Sequence, residues 1–218
     1  MSDPVILSIQ VGMPADHGAD SISRKPWRSG ISKTPVAGRI RLSTVNLAGD
    51  RQQDLENHGG PFRAVLAYAA VHYPVWREDL KLDDLPYGAF GENFTISVLT
   101  EATVCLGDVY AVGDAIRLQV SQPRAPCWKL ARRWGIKDLT ARVEARGWGG
   151  WYHRVLATGE VGAGDAYRLL ERPYPAYPIA RLNDLITGRE VNRAAQAELS
   201  AIEALSPGWR AMFAARDA

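Results

Sequence analysis

The feature that most constrains the fold is a series of short strand-like segments, separated by glycine, proline and aspartate, that extends to about residue 172. Residues 38–45 alternate polar and apolar side chains, as a strand with one buried face does. Further segments of this kind lie at 5–11, 63–68, 94–98, 115–120, 154–156 and 166–170. Many short strands at this spacing predict a closed or nearly closed β-barrel.

Gly-Asp pairs recur immediately before apolar runs in this part of the chain. They lie at 107–108, 113–114 and 164–165. We interpret them as turns rather than as parts of a site, because glycine permits positive φ and aspartate caps a turn. Helical patterns at 72–82, 127–134 and 137–146 interrupt the strands. They predict helices at the periphery of the barrel.

The composition changes at residue 173, where three prolines within six residues form a stiff linker. Apolar residues then recur at helical spacing, for example at Val191, Ala195, Leu199 and Ile202. Their stripes are expected to pack against the barrel or against a second subunit in a homodimer. We therefore predict a mixed, mainly β fold with a barrel domain at 1–172 and a small three-helix segment at 173–218.

The bulk properties exclude several classes of protein. The chain has 218 residues, and its formal net charge of +2 gives no electrostatic reason to expect nucleic acid or an anionic membrane as partner. Two cysteines do not make a disulfide framework, and their spacing is no zinc signature. The sequence shows no secretory signal pattern and no apolar run of transmembrane length. A cytoplasmic location is expected.

The most informative chemical feature is Cys127, in the run Ser121-Gln-Pro-Arg-Ala-Pro-Cys-Trp-Lys-Leu130. The thiol appears where a helical pattern begins, and Pro126 suits the first turn of a helix. A helix N-terminus and the nearby Arg124 both lower a thiol's pKa and favour the thiolate, which attacks electrophiles and binds soft metals. The same groups suit a phosphate. The run predicts a ligand of a phosphorylated metal cofactor, or else a nucleophilic cysteine.

The alternative is that the cysteine is structural. A lone cysteine is more often a small buried hydrophobic residue than a reactive group. The Pro-Arg-x-Pro-Cys setting shifts the balance towards function at Cys127. Cys105 has apolar neighbours and no basic ones, and we expect it to lie in the core.

Residues 57–63 form a second polar cluster. Paired glycines at 59–60 let the backbone approach a ligand closely, while His58 and Arg63 offer donors to an anion. A simple tight turn explains the same residues equally well. His58 is the best placed of the four histidines, because the others lie in surface-like or helix-start contexts and are treated as structural: His17, His72 and His153.

Two further clusters are weaker. Glu92 and Asn93 precede a strand, at a place where barrels bind ligands, although a turn with a left-handed asparagine is the better interpretation of the pair alone. Lys33 lies in a Gly/Ser/Pro loop and could bind a phosphate, although a solvated lysine is usual. The sequence contains no nucleophile elbow, P-loop or Gly-x-Gly-x-x-Gly motif. Hydrolase, NTPase and Rossmann interpretations therefore lack support.

Taken in order, these clusters resemble the MOSC domain, which is found at the C-terminus of molybdenum cofactor sulfurases. The set comprises Lys33, Gly49-Asp50, His58-Gly-Gly-Pro-x-Arg-Ala-Val65, Gly91-Glu-Asn-Phe94, Gly107-Asp108, Ser121-Gln-Pro-Arg-x-Pro-Cys-x-Lys-Leu130 and Gly149-x-Trp151. The resemblance covers about residues 5–172, and the helical tail is similar in character to that of the YiiM-like branch. Relatives often carry an acid where this chain has Phe62, so no role for an acid is transferred there.

The resemblance implies a mixed β-barrel that binds the molybdenum cofactor, a molybdenum ion held by a phosphorylated pterin dithiolene. Cys127 would be the protein ligand to the metal, because soft sulfur suits a dithiolene-bound metal. The residues implied for the phosphate and ring edges of the pterin are Lys33, His58, Gly59, Arg63 and Arg124. Asn93 and Ser121 would form further hydrogen bonds to the pterin.

The activity implied is the reduction of N-hydroxylated compounds, such as hydroxylaminopurines, to amines. Electrons would come from a separate reductase, because the sequence has no ligand set for flavin, haem or an iron–sulfur cluster. Glu92 or His58 would relay protons. Two rival functions stay open. In one, Cys127 carries a persulfide during cofactor maturation, with sulfur from a partner, and in the other the protein stores or delivers the cofactor.

Overall fold

The structure is a computed structural model of the chain and describes residues 3–217. The strands are β1 (Ile6–Val11), β2 (Ala15–His17), β3 (Trp27–Ser29), β4 (Thr34–Pro35), β5 (Arg39–Leu42), β6 (Val65–Ala69), β7 (Phe94–Ile96), β8 (Val109–Val112), β9 (Ile116–Pro123), β10 (Trp151–Ala157), β11 (Gly159–Gly162) and β12 (Tyr167–Glu171). The helices are α1 (Leu55–His58), α2 (Tyr73–Leu80), α3 (Trp128–Trp134), α4 (Leu139–Arg146), α5 (Ile179–Thr187), α6 (Arg193–Ala201) and α7 (Pro207–Asp217). Within residues 3–217, every helix is too short or too polar to span a lipid bilayer.

Eight strands form one mixed sheet in the order β12-β8-β9-β10-β6-β7-β1-β4. β6 and β7 pair in parallel, with Ala67 opposite Phe94, and the other neighbours pair antiparallel. A parallel pair needs a long crossover, and residues 70–93, which include α2, supply it. Two further pairs, β11-β5 and β2-β3, complete the strands.

The mixed, mainly β architecture is confirmed, but the closed barrel is not. Among residues 3–217 the paired strands form no closed ring, and β4 and β12 remain the edges of the large sheet. One antiparallel bridge joins Val5 to Ala166, and the Ile6 amide donates to the Asp165 carbonyl at 3.1 Å. With the Gly164 and Tyr167 amides, which donate to the Ile6 and Pro4 carbonyls, three backbone hydrogen bonds join the starts of β1 and β12, but no continuous ladder runs between these strands.

The larger apolar core joins the main sheet to the C-terminal helices. Phe94, Leu118 and Trp151 of the sheet belong to the same buried cluster as Leu182 of α5 and Phe213 of α7. Of the two packing arrangements that the helical stripes predict, the structure shows the one against the sheet. The boundary at residue 172 stays a prediction, and residues 1–2 and 218 lie outside the part of the chain described.

The start of α6 differs from the predicted apolar stripe. Asn192 caps this helix, because its side chain accepts a hydrogen bond from the Ala195 amide at 3.0 Å. Asparagine is a strong N-cap residue, so the helix begins at Arg193. Val191 precedes the cap and is 80% exposed. It does not belong to the packing face.

A second apolar cluster supports the helices near Cys127. It contains Tyr68 of β6, Trp76 of α2, Leu130 of α3 and Val143 of α4. This cluster packs α3 against the central strand β6. The residue that precedes α3, which is Cys127, is thereby held in a fixed position relative to the sheet.

Two predictions about single residues have opposite outcomes. Cys105 is 4% exposed, and its thiol lies 3.8 Å from the Pro175 carbonyl, so its place in the core is confirmed. His153 is wrongly predicted in a surface-like or helix-start context, because it is fully buried in β10 and contacts the Tyr167 hydroxyl. Burial lowers the pKa of His153 to about 3, with an opposing contribution from the Val65 carbonyl. Its role remains structural.

Packing of α5 on the sheet predicts the stability of two matched variants. Leu182→Ala should lower the free energy of unfolding by about 2–5 kcal/mol, because it leaves a cavity in the shared core. Val191→Ala should change it by less than about 0.5 kcal/mol, because Val191 is exposed. Urea unfolding followed by circular dichroism measures both. Equal stability of the two variants would contradict the shared core.

Candidate functional site

Cys127 is the N-cap residue of α3 and lines a cleft of about 580 Å³. Its backbone is extended, with φ −115° and ψ 163°, and its side chain is partly exposed. The predicted start of a helix at this cysteine is therefore confirmed. Pro126 lies one residue before the cap rather than inside the first turn.

The surroundings of Cys127 favour its thiolate. Burial raises the pKa of the thiol, but the neighbouring His58 imidazole, the positive charge of Arg124 and the Lys129 backbone N–H lower it, and the result is about 7. A large fraction of the thiol is then ionised at neutral pH. Cys105 shows the contrast, because burial raises the pKa of its thiol.

Two nitrogen atoms of cleft-lining residues are buried without a partner in the part of the chain described. Arg124 is 6% exposed, and its Nη2 donates to the Phe90 carbonyl at 3.0 Å, whereas its Nη1 has no acceptor. Nδ1 of His58 is also unpartnered and lies 3.6 Å from the nearer carboxylate oxygen of Asp54. Leaving such groups unsatisfied is costly. Arg124 and His58 thus each bring one unsaturated nitrogen atom to the wall of the cleft.

Lys33 and Asn93 line the cleft but are already bonded within its wall. The Lys33 ammonium pairs with Asp50, whose carboxylate also accepts from the Gly12 amide and from Asn93 Nδ2, each at 2.9 Å. Asn93 Oδ1 accepts from the Leu66 amide at 3.1 Å. Burial lowers the pKa of Lys33, and the charge of Asp50 opposes that effect. The three side chains act together as one buried polar network.

Glu92 does not line the cleft. It is fully buried, and its carboxylate accepts from the Tyr73 hydroxyl, the Gly88 amide at 2.7 Å, the Thr95 hydroxyl at 3.0 Å and the Phe90 amide at 3.1 Å. These contacts hold together the loop that precedes β7. The position of Glu92 therefore gives no support to the predicted proton relay.

Three other predicted site residues also lie outside the lining of this cleft. The Ser121 hydroxyl donates to the Phe62 carbonyl at 2.6 Å, and the Arg63 guanidinium donates to a carbonyl of α1 at 3.4 Å. Gly59 ends α1, and a Cβ at this position would lie 2.7 Å from the Leu55 carbonyl oxygen. Close packing against α1 therefore explains why glycine stands at position 59, without a contact to a ligand.

Several residues of the cleft were not selected from the sequence. They are Ser29, Ile31, Arg51, Gln52, Gln53, Asp54, Leu66, Lys129 and Tyr152. Tyr152 reaches the site through the register between β10 and β9, which places it opposite Gln122. A single sequence contains no signal for that register. The segment 51–54 follows the Gly49-Asp50 turn, and its proximity to that motif is the signal in the sequence that these residues belong to the site.

The donor set fits a metal that arrives already chelated. Within residues 3–217, no cluster of three or more His, Cys, Asp or Glu side chains could hold a metal ion. A metal bound at Cys127 would therefore bring its other ligands with it. The charged lining is mainly basic and so suits an anionic group; it consists of Lys33, Arg51, Arg124 and Lys129 against Asp54.

This fold and this site define a known class of protein. The MOSC domain matches residues 54–168, so the chain belongs to the MOSC domain family. The YiiM-like, 3-alpha helix domain matches residues 178–216, which contain α5, α6 and most of α7. Within its family, the chain therefore carries the C-terminal segment of the YiiM-like branch.

Similar proteins include bacterial and fungal chains. The chain is 40% identical over 208 residues to the uncharacterised protein YflK of Bacillus subtilis (strain 168), which covers 95% of this chain and 92% of that one. It is 39% identical over 148 residues to YiiM of Escherichia coli (strain K12), and the match covers 66% of this chain and 65% of that one. It is 38% identical over 166 residues to a protein of Gibberella moniliformis named Reductase, with coverage of 75% of this chain and 29% of that protein.

Solved structures support the same fold. The crystal structure of YiiM from Geobacillus stearothermophilus superposes with a TM-score of 0.81 at 36% identity, over 99% of this chain and 100% of that one. YiiM from Escherichia coli gives a TM-score of 0.75 at 30% identity, over 85% of this chain and 88% of that one. The superposition on the Geobacillus structure includes the C-terminal helices.

The surroundings of Cys127 predict its reactivity towards iodoacetamide in the cofactor-free protein. The alkylation rate should reach half its maximum near pH 7, and His58→Ala should move this midpoint upwards, because it removes a group that stabilises the thiolate. Mass spectrometry of the modified cysteine measures the rate, and Cys105→Ser serves as control. A midpoint near pH 9 in the wild type would contradict the description of the site.

Proposed function

We propose that this protein is a molybdenum-cofactor-dependent reductase that converts N-hydroxylated compounds, including hydroxylaminopurines, to amines. The observation that carries the proposal is the thiol of Cys127, which has a pKa of about 7 and lines a mainly basic cleft. A soft anionic ligand beside donors for a phosphate suits a phosphorylated cofactor that contains a soft-ligated metal. The name of the fungal relative, Reductase, agrees with this class of activity.

The chain would hold the cofactor at two kinds of contact. Cys127 supplies a thiolate to the molybdenum. Arg124 Nη1, which has no acceptor in the protein, would supply a donor to the phosphate, and the imidazole of His58, which lies beside Asp54, would supply another to the phosphate or to the edges of the pterin. Lys33 contributes positive charge to the same wall, although its ammonium is shared with Asp50. Asn93 belongs to the same wall, whereas Gly59, Arg63 and Ser121 lie outside the lining, and we assign them no contact with the cofactor.

The reaction consumes two electrons and two protons for each N–O bond, and it releases water and the amine. When bound, the molybdenum cofactor supplies the centre at which oxygen is removed and electrons are exchanged. His58 is the titratable side chain beside Cys127, and we assign proton transfer to it. The apolar side chains of Leu66 and Phe90 line the same cleft and help to exclude water from it.

A separate reductase would deliver the electrons. The segment of the Gibberella protein that matches this chain is 29% of a longer protein named Reductase, which leaves room there for a second, electron-donating part. The cytoplasmic location and the homodimer stay predictions of the sequence.

Sulfur transfer is the second candidate, because a thiol with a pKa of about 7 also suits a persulfide carrier. In that function Cys127 would accept sulfur from a partner and pass it on during cofactor maturation. A protein that only stores the cofactor would bind molybdenum and pterin without turning over a substrate. These functions differ in metal content and in turnover, and both quantities can be measured on the same preparation.

Expression in hosts that can and cannot make the cofactor tests the proposal. The wild type and the control Cys105→Ala should contain molybdenum and pterin from the competent host, and Cys127→Ala should have lost most of both, because it lacks the metal ligand. The loaded wild type should convert a hydroxylaminopurine to the aminopurine with an artificial electron donor. Metal analysis and chromatography of the products provide the two measurements.

Each contrary result identifies what is wrong. Equal molybdenum in the wild type and in Cys127→Ala would reject Cys127 as the ligand. Molybdenum in neither would favour sulfur transfer. Bound cofactor without any turnover would favour the carrier.

A further inference from the structure

The hydroxyl of Tyr152 lacks a partner at a place where a ligand would bind. Five tyrosines of the interior have hydroxyls that contact another side chain: Tyr68, Tyr73, Tyr110, Tyr167 and Tyr177. Three half-buried tyrosines form no side-chain hydrogen bond in the part of the chain described: Tyr87, Tyr152 and Tyr174. Tyr152 is the member of this second group that lines the cleft of Cys127.

The other uncharged polar side chains of the cleft are already bonded to the protein. Ser29 Oγ accepts from the Ile31 amide at 3.1 Å. Gln52 donates to Asn46 Oδ1 at 2.9 Å, and Gln53 accepts from an arginine at 3.0 Å. Asn93 belongs to the buried network around Asp50 described above. Within residues 3–217, Tyr152 is thus the neutral polar side chain of this lining that forms no hydrogen bond to the protein, whereas each of the others forms at least one.

The backbone places Tyr152 next to the reactive loop. Trp151 lies opposite Pro123 and Tyr152 opposite Gln122 in the β10–β9 ladder, and the Arg124 amide donates to the Gly150 carbonyl at 3.1 Å. The loop that leads to Cys127 therefore leaves the sheet beside Tyr152. The charges of Arg124 and Cys127 both act on the phenol, so the hydroxyl lies in the same electrostatic environment as the thiol.

We propose that the Tyr152 hydroxyl donates a hydrogen bond to the N–O oxygen of the substrate and so distinguishes the N-hydroxylated compound from the amine. The inference rests on the proposed function. The oxygen that is removed must approach the metal held by Cys127, and Tyr152 is the neutral donor beside that residue. The amine product lacks this oxygen. A site that hydrogen-bonds a group of the substrate rejects the analogue that lacks it, so Tyr152 also promotes release of the product.

Isothermal titration calorimetry on the cofactor-loaded protein without a reductant tests this role, because no turnover occurs. The ligands are a hydroxylaminopurine and the corresponding aminopurine. The wild type should bind the first more tightly, and Tyr152→Phe should lose roughly threefold to tenfold of that preference, the effect of one net hydrogen bond. Its molybdenum content and its affinity for the aminopurine should not change. Tyr174→Phe, half-buried and outside the cleft, is the matched control.

The outcomes separate this inference from the function on which it rests. An undiminished preference in Tyr152→Phe would overturn the role of the hydroxyl and leave the proposed function intact. Loss of molybdenum from Tyr152→Phe would assign the hydroxyl to the cofactor and would also overturn it. A wild type that contains molybdenum but binds both purines equally would overturn the hydroxyl's role together with the proposed substrate class.

Discussion

The position of Cys127 depends on a close backbone contact at two glycines. A Cβ at Gly149 would lie 2.1 Å from the Arg124 carbonyl oxygen, and a Cβ at Gly150 would lie 2.3 Å from the Ala67 carbonyl oxygen. Gly150 also has a φ of +80°, which only glycine adopts readily. These contacts hold β6, β10 and the loop before α3 together. Any larger residue at Gly149 or Gly150 would displace the segment that contains Arg124 and Cys127.

Polar groups around the cleft divide into those that build it and those that are free to bind. Asp50 accepts from Lys33, Asn93 and a backbone amide, and Glu92 accepts from four donors behind the wall. Because these carboxylates are saturated by protein donors, the wall is rigid and its acceptors are not available to a ligand. The unsatisfied guanidinium nitrogen of Arg124 is a donor, and a donor at this place suits an anionic group.

The sequence predicts the regular elements well and the site only in part. Alternating and helical apolar patterns locate most of the large sheet and six of the helices, whereas β2, β3 and β4 contain only two or three residues each and give no periodic signal. Closure of the barrel is not confirmed, because spacing along the chain does not determine whether edge strands pair. Asn192 shows that a cap overrides apolar spacing at a helix start.

Whether a site residue is predictable depends on whether its surroundings are local in the sequence or formed by tertiary packing. Cys127 and Arg124 are predictable because their chemistry is local: a thiol, a nearby cation and a helix start in one run. Glu92 is adjacent to a true cleft residue, but whether a carboxylate faces a cleft or four internal donors depends on tertiary packing. Tyr152 depends on strand register and was missed for that reason. The proposed activity rests on the order of motifs shared with a family, and not on any single residue.

The most direct test of the central claim is X-ray absorption spectroscopy at the molybdenum edge of the loaded wild-type protein. If Cys127 binds the metal, the spectrum should show a sulfur ligand in addition to the pair supplied by the dithiolene. A first shell that contains only the dithiolene sulfurs and oxygen would contradict the claim.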